Sequence, residues 1–160
     1  MTRTYMNAND IINGREGKVV ATIDGKVFDM FYIKTFEANI ELTKTQVKVL
    51  GNNNTQDKVI GWAGSGSMTL YYVTSTFRKM AIDFVKKGKL PTNFTIVVTN
   101  EDPQSTIGKQ TISIKNVILD KINLAKIEVD SEDPLEEEME FTFSDADILD
   151  QFGEPVLLGA

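Results

Sequence analysis

The stretch whose residue types and spacing come nearest to a chemical motif is Gly61-Trp62-Ala63-Gly64-Ser65-Gly66-Ser67, three glycines and two hydroxyls in seven residues. Glycine-rich turns hold phosphates when backbone N–H groups cradle the anion at a helix N-terminus. A Walker loop needs a final glycine followed by Lys and Ser/Thr, and no lysine stands here. A dinucleotide fingerprint needs a helix directly after its glycines, but an extended pattern, Ser67-Met68-Thr69-Leu70-Tyr71-Tyr72-Val73, follows. The order G-x-x-G-x-G is also reversed, so nucleotide chemistry is set aside. The carboxylates Glu136, Glu137, Glu138 and Glu140 form the second candidate. Calcium loops curl round the ion with interspersed Asp, Asn and Gly. These glutamates run into a strand pattern, which sends alternate side chains to opposite faces. No glycosidase-like carboxylate pair is marked. The chain contains neither His nor Cys, which removes a Ser-His-Asp triad, a cysteine nucleophile and a Cys/His zinc site. No catalytic residue, cofactor or metal is assigned.

The elements that would carry these residues come from one domain, 1–160, with 1–10 and 151–160 as terminal extensions. A chain of 160 residues, 41% apolar and 25% charged, can build an ordinary core without disulfide or metal. No apolar run reaches the roughly 18 residues of a membrane span, and the N-terminus lacks the apolar region of a secretory signal. Charge is segregated. Residues 1–127 hold 17 bases against 11 acids, a net +6, whereas residues 128–160 hold 12 acids and no base. Such blocks can pair within the fold or between copies packed head to tail.

Most of the chain has strand pattern. Asp24-Gly25 between β-branched and aromatic runs predicts a hairpin. In Phe36–Leu42, Phe36, Ala38, Ile40 and Leu42 point one way and Glu37, Asn39 and Glu41 the other. Met68–Val73, Asn93–Thr99, Gln110–Leu119 and Asn123–Val129 are further strands. In Glu136–Phe143, Met139, Phe141 and Phe143 oppose Glu138 and Glu140. One segment, about 75–87, has helical period: Phe77, Met80, Ala81 and Phe84, with Val85 on the same face. Ser75 or Thr74 caps it, Gly88 ends it and Pro91 blocks its resumption. Seven or eight strands and one helix predict a β-sandwich or barrel with a flanking helix.

On that reading the opening glycines lie within a strand. Gly64 and Gly66 share the parity of Trp62 and Met68, so one strand face is bare between large apolar residues, suited to close backbone approach. Gly61, Trp62, Gly64 and Gly66 are the candidates for close packing with another subunit. Gly51-Asn52-Asn53-Asn54-Thr55-Gln56-Asp57-Lys58, with Lys48, forms the tip of a long hairpin.

These pieces, in their order, resemble the tail tube proteins of contractile-tailed phages, in the branch found in Gram-positive prophages and tail-like particles. The matching runs span about residues 8–150: INGREGKVVATIDG, IKTFEANIE, VKVLG, GWAGSGSMTLYYVTSTF, DFVKKG and LEEEMEFTFSDADI. The resemblance implies a sandwich or barrel shared with type VI secretion tubes. It implies hexameric rings that stack head to tail within a sheath, assembled in the host cytoplasm, with sheath and baseplate proteins as partners. The lumen would pass DNA in a virion or serve puncture in a tail-like bacteriocin. In that setting Lys48 and Gly51–Lys58 are the inter-ring contact, and Glu37, Asn39, Glu41, Glu138 and Glu140 are lumen-facing candidates. The alternative is a soluble sandwich that grips a sugar or peptide with Trp62, Tyr71 and Tyr72. A carboxylate enzyme is the weaker third reading.

Overall fold

The computed structural model describes residues 3–30, 32–89, 93–130, 132–155 and 157–159. Its fold is mainly β with one helix. In chain order the strands are β1 (Tyr5–Met6), β2 (Gly17–Ile23), β3 (Lys26–Asp29), β4 (Ile33–Lys48), β5 (Thr55–Tyr71), β6 (Phe94–Glu101), β7 (Lys109–Lys115), β8 (Ile118–Leu119), β9 (Glu136–Phe143), β10 (Asp145–Asp150) and β11 (Leu157–Leu158). The helix α1 spans Thr76–Lys87. Two compact units are woven from separated segments: Met1–Phe31, Pro91–Asn116 and Asp145–Ala160 in one, Tyr32–Leu90 and Val117–Ser144 in the other.

The first unit holds a five-stranded antiparallel sheet, β10-β7-β6-β2-β3. Asp24 and Gly25 take φ of 49° and 83°, the two left-handed residues of the hairpin turn the sequence predicts between β2 and β3. Period-two patterning then buries one face. Ala21, Ile96 and Ile114 form one row across β2, β6 and β7, flanked by Val19, Ile23 and Phe94, all buried. The N-terminal segment is tied to the β6–β7 loop. Asp10 accepts hydrogen bonds from the Thr106 N–H (2.9 Å) and hydroxyl (2.7 Å), and Asp102 accepts from the N–H groups of Asn13 and Gln104. Beyond them β1 pairs with β11, so the two terminal segments meet in a separate two-stranded ribbon.

The second unit holds a four-stranded antiparallel sheet, β4-β5-β9-β8, and α1. β4 and β5 form a hairpin with 16 and 17 residues in its two strands, roughly 50 Å long at about 3.3 Å per residue. β9 covers β5 only from Gly64 to Tyr71. The rest of the hairpin is therefore a two-stranded arm with no third strand beside it among the described residues. Helix α1 starts where Thr74 Oγ1 accepts from the Thr76 N–H, while Ser75 makes no side-chain cap. It stops at left-handed Gly88, whose N–H donates to the Phe84 carbonyl. Pro91 lies outside the described residues.

Three expectations need correction. Gln110–Leu119 is not one strand: left-handed Asn116 (φ 56°) breaks it, and β7 and β8 join different sheets. Asn123–Val129 alternates like a strand but forms no ladder among the described residues; Lys126 reaches the Glu136 carbonyl of β9 with its side-chain Nζ instead. The apolar stripe of α1 is only half used. Phe77 is buried, but Phe84 is exposed and Val85 is 80% exposed.

Candidate assembly surface

Strand register decides which singled-out residues meet. Glu37, Ser67 and Glu140 form one row across β4, β5 and β9; Asn39, Ser65 and Thr142 form the next. Thr35, Thr69 and Glu138 lie on one side of them, and Glu41 opposite Ala63 on the other. Side chains in a row, and in alternate rows, point the same way. Glu37, Asn39, Glu41, Glu138 and Glu140 therefore share one face of one sheet, although the sequence shows them only as two separate strands. Small residues on the central strand leave the flanking carboxylates projecting. Asp120, which carries no signal in the sequence, joins Glu37 and Glu140 around a shallow depression of about 320 Å³. Its N–H donates to the Glu140 carbonyl at 2.9 Å. No base stands in these rows, and among the described residues no side-chain cluster could hold a metal ion. A face of one sign repels anions over about a Debye length, roughly 8 Å at physiological salt.

The opposite face is apolar, with Phe36, Met68 and Met139 in one row. Gly66 stands opposite Phe141 and Gly64 opposite Phe143. The rings of Phe36 and Phe141 stack with centroids 5.5 Å apart, and Trp62 tilts against Phe143 at 6.2 Å. A Cβ on Gly64 would sit 2.5 Å from Phe143 Cε2, and one on Gly66 would run into Phe141 Cζ. The bare face that suggests space for another chain is thus filled, at Gly64 and Gly66, by this chain's own aromatic rings. The sequence hides this because β9 lies far along the chain. A Cβ on Gly61 would meet nothing within 4 Å, and Gly61 lies on the free arm.

On that arm the register shifts between Thr43 and Lys44, leaving Ile60 as the extra residue of a bulge. Leu42, Val59, Ile60 and Trp62 are all exposed to solvent. The turn is Val49–Asn54, with Gly51 left-handed (φ 85°) and the Asn54 N–H donating to Asn52 Oδ1. Thr55, Gln56, Asp57 and Lys58, expected in the loop, are instead strand residues paired with Lys48, Val47, Gln46 and Thr45. The end of the arm carries Lys44, Lys48 and Lys58 against a single acid, Asp57.

The segregated charges meet within the chain. Among the described residues, ion pairs that join a base from 1–127 to an acid from 128–160 include Lys34–Glu136, Arg78–Glu137, Lys109–Asp150, Lys115–Asp147 and Lys126–Glu128. Hydrogen bonding to Glu136 and Asp147 raises the pKa of Lys34 and Lys115 respectively. The buried pair is not legible in the sequence, where Glu137 is one of three consecutive glutamates but has the parity of the apolar face. Its side chain is fully buried, and Arg78 Nη1 lies 3.1 Å from Oε2. Burial pushes the Glu137 carboxyl up, and Arg78 partly opposes that. Arg78 also lies over the Tyr72 ring, 4.1 Å from its centroid.

That contact bears on the ligand-gripping alternative. Tyr72 has Arg78 on its face, while Tyr71 and Trp62 have opposite parity on β5 and stand nine residues apart, roughly 30 Å along a strand. The three rings do not converge on one site.

An edge strand with no outer neighbour among the described residues, an arm of exposed apolar side chains and an acidic stretch on one sheet face are features of a structural subunit that acts through protein contacts. Residues 4–150 match the family model described as phage tail tube protein. The chain belongs to that family, and its role is that of a structural component of a tail tube. It is 40% identical over 146 residues to the uncharacterized protein YqbM of Bacillus subtilis (strain 168), covering 91% of this chain and 95% of the relative. It is 40% identical over 143 residues to the phage-like element PBSX protein XkdM of the same organism, covering 89% and 93%. Among solved structures, a chain in the structure of the anti-feeding prophage tube-terminating cap superposes with a TM-score of 0.65 at 8% identity, covering 86% of this chain and 90% of that one. A chain in the sheath–tube complex of an extracellular contractile injection system, PVC, gives 0.58 at 9% identity, covering 82% and 87%. At those identities the likeness is one of fold.

Proposed function

We propose that this chain acts as one tube-building domain, closing into hexameric rings that stack head to tail as the inner tube of a contractile tail. The carrying observation is the four-stranded sheet, whose 16-residue edge strand β4 has no outer neighbour among the described residues and whose rows of Glu37, Glu41, Glu138 and Glu140 hold no base. Open edges invite strand pairing, and closure of a ring removes them. Stacking of identical rings is a heterologous contact with no natural end, so it yields a filament. The acidic face turns inward, where it lets DNA pass without holding it, and the same smooth wall serves a tube that punctures an envelope. The basic, apolar-flanked arm carries the inter-ring contact, with Gly61 and Trp62 in close subunit packing. Sheath and baseplate proteins are the further partners, within a virion or tail-like particle assembled in the host cytoplasm.

Negative-stain microscopy and sedimentation of the purified protein test this. Rings or tubes are expected at high concentration. A strictly monomeric protein, even with its other tail components present, overturns the reading. Replacing Val49–Asn54 by a two-residue Asn-Gly turn keeps the ladder from Lys48 to Thr55 intact. It should leave the monomer's circular dichroism and cooperative melting unchanged while abolishing stacking. Tubes of normal length from this variant would remove the arm from the inter-ring contact.

A further inference from the structure

Helix α1 is attached to its unit near its N-terminus only. Phe77 is buried, Arg78 pairs with Glu137, and the Thr74 hydroxyl oxygen accepts from the Thr76 N–H. Met80 and Ala81 are half-buried, and every residue from Ile82 to Lys89 is exposed. Ile82, Phe84 and Val85 are therefore left in water. A helix end is marginal in water without a packed face, and a packed face is what this half lacks. Lys79, Lys86, Lys87 and Lys89 stand among those side chains, and Asp83 is the one acid between them. Among the described residues none of these lysines makes an ion pair.

The complementary composition stands on Ile127–Asp130. Ile127 and Val129 are 87% and 90% exposed, and they alternate with Glu128 and Asp130. Glu128 keeps only a loose pair with Lys126, at 3.5 Å. The segment is tied back by Lys126 Nζ, which donates to the Glu136 carbonyl at 2.9 Å. Both patches are thus anchored at one end of the four-stranded sheet. α1 follows β5, whose last residue, Tyr71, pairs with Glu136, the first residue of β9. Their exposure shows that the two patches do not cover each other within one copy.

We propose that the free half of α1, Ile82–Lys89, seats on Ile127–Asp130 of a second copy of this chain, side chain against side chain. Phe84 and Val85 then meet Ile127 and Val129, while Lys86, Lys87 and Lys89 meet Glu128 and Asp130. An apolar face of a helix laid on an apolar surface supplies the attachment, and charges of opposite sign around it fix the partner. The inference rests on the ring reading and adds a contact outside the sheets. The two patches differ, so the contact is heterologous and each copy offers one of each. Both are anchored at the same end of the sheet, and a copy turned about an axis along the strands keeps them level. The contact therefore joins neighbours round a ring rather than ring to ring.

The chain has no cysteine, so engineered ones report contacts without background. Val85→Cys and Val129→Cys chains are oxidised at ring-forming concentration, each alone and then mixed. Neither alone should dimerise, and the mixture should give dimers. The double variant should give a disulfide ladder that stops at ring size. Rings without the mixed cross-link overturn the proposal, and a ladder running past ring size overturns its placement within the ring. A charge swap is the second arm. Lys86→Glu/Lys87→Glu should raise the concentration needed for rings roughly tenfold or more, as loss of about 1.4 kcal/mol of contact would. Adding Glu128→Lys/Asp130→Lys should recover most of that loss. A deficit that came only from fraying the helix end would not be recovered by changes on a separate segment. Rings at the unaltered concentration, or no recovery, overturn the proposal. If the unmodified protein forms no rings at all, microscopy shows that the ring reading itself has failed, and this contact falls with it.

Discussion

Alanine at Gly66 sets a Cβ 2.5 Å from the Glu37 carbonyl oxygen, and closer still to Phe141 Cζ. Neither neighbour can yield cheaply. Glu37 belongs to the β4–β5 ladder, and Phe141 is fully buried, stacked on Phe36 and against Phe143. At Gly64 the three atoms nearest the added Cβ all belong to the Phe143 ring, which lies where the arm begins, beside the exposed Trp62. At Gly61 it meets nothing within 4 Å. Overpacking a core costs about 1–3 kcal/mol. Gly66→Ala belongs at the top of that range, about 3 kcal/mol, and Gly64→Ala near the bottom, about 1 kcal/mol. Gly61→Ala should stabilise by about 0.5 kcal/mol, because alanine reduces the freedom of the unfolded chain. For a domain of this size 1 kcal/mol moves Tm by about 2–4 °C. Thermal unfolding of the monomer by circular dichroism should thus show a fall of about 6–12 °C at Gly66, about 2–4 °C at Gly64 and a slight rise at Gly61. Phe141→Leu in the Gly66→Ala background should recover only part of the loss, since it frees the ring but not the carbonyl. Equal shifts at the three glycines, or an unchanged Gly66→Ala protein, would refute the packing argument.

Arg78→Met strands the buried Glu137 carboxylate, at a cost of about 3–5 kcal/mol at neutral pH. It also removes the influence that holds the raised Glu137 pKa down. A carboxyl with a raised folded pKa loses stability as pH rises through that value, so the variant's deficit should shrink toward acid pH. Adding Glu137→Gln should restore most of it at neutral pH; a deficit independent of pH in urea titrations would contradict this. Asp10 has the opposite sign. Hydrogen bonds from the Thr106 N–H and hydroxyl hold its pKa low. Their stabilisation is complete above the unfolded carboxylate's value, about 3.9, and is lost as pH falls through the lower folded one. Asp10→Asn should lower Tm at neutral pH, with the difference from the unmodified protein vanishing in strong acid. A constant difference from about pH 7 down to about pH 2.5 would show that the latch does not depend on that ionisation.

Local physics makes much of the fold legible in the sequence. Asp24-Gly25 demands a left-handed turn, and Phe36–Leu42 and Glu136–Phe143 announce strands by strict alternation. Phe77–Phe84 has helical period, and Gly88 ends that helix as only a glycine does without strain. The absence of His and Cys, and the lack of a lysine after Gly66, dispose of whole classes of chemistry whatever the fold. Pairing between distant segments is not legible. Alternation says that Glu37 and Glu140 each leave their strand on its polar side, but only the ladder through Ser67 places them on the same face. The glycines are bare in sequence because their covering, Phe141 and Phe143, arrives from a strand encoded far downstream. Asn123–Val129 has the pattern of a strand but forms no ladder among the described residues. A strand's hydrogen bonds belong to two segments at once, so local sequence sets each segment's faces, while the tertiary structure decides which edges remain for another copy to fill.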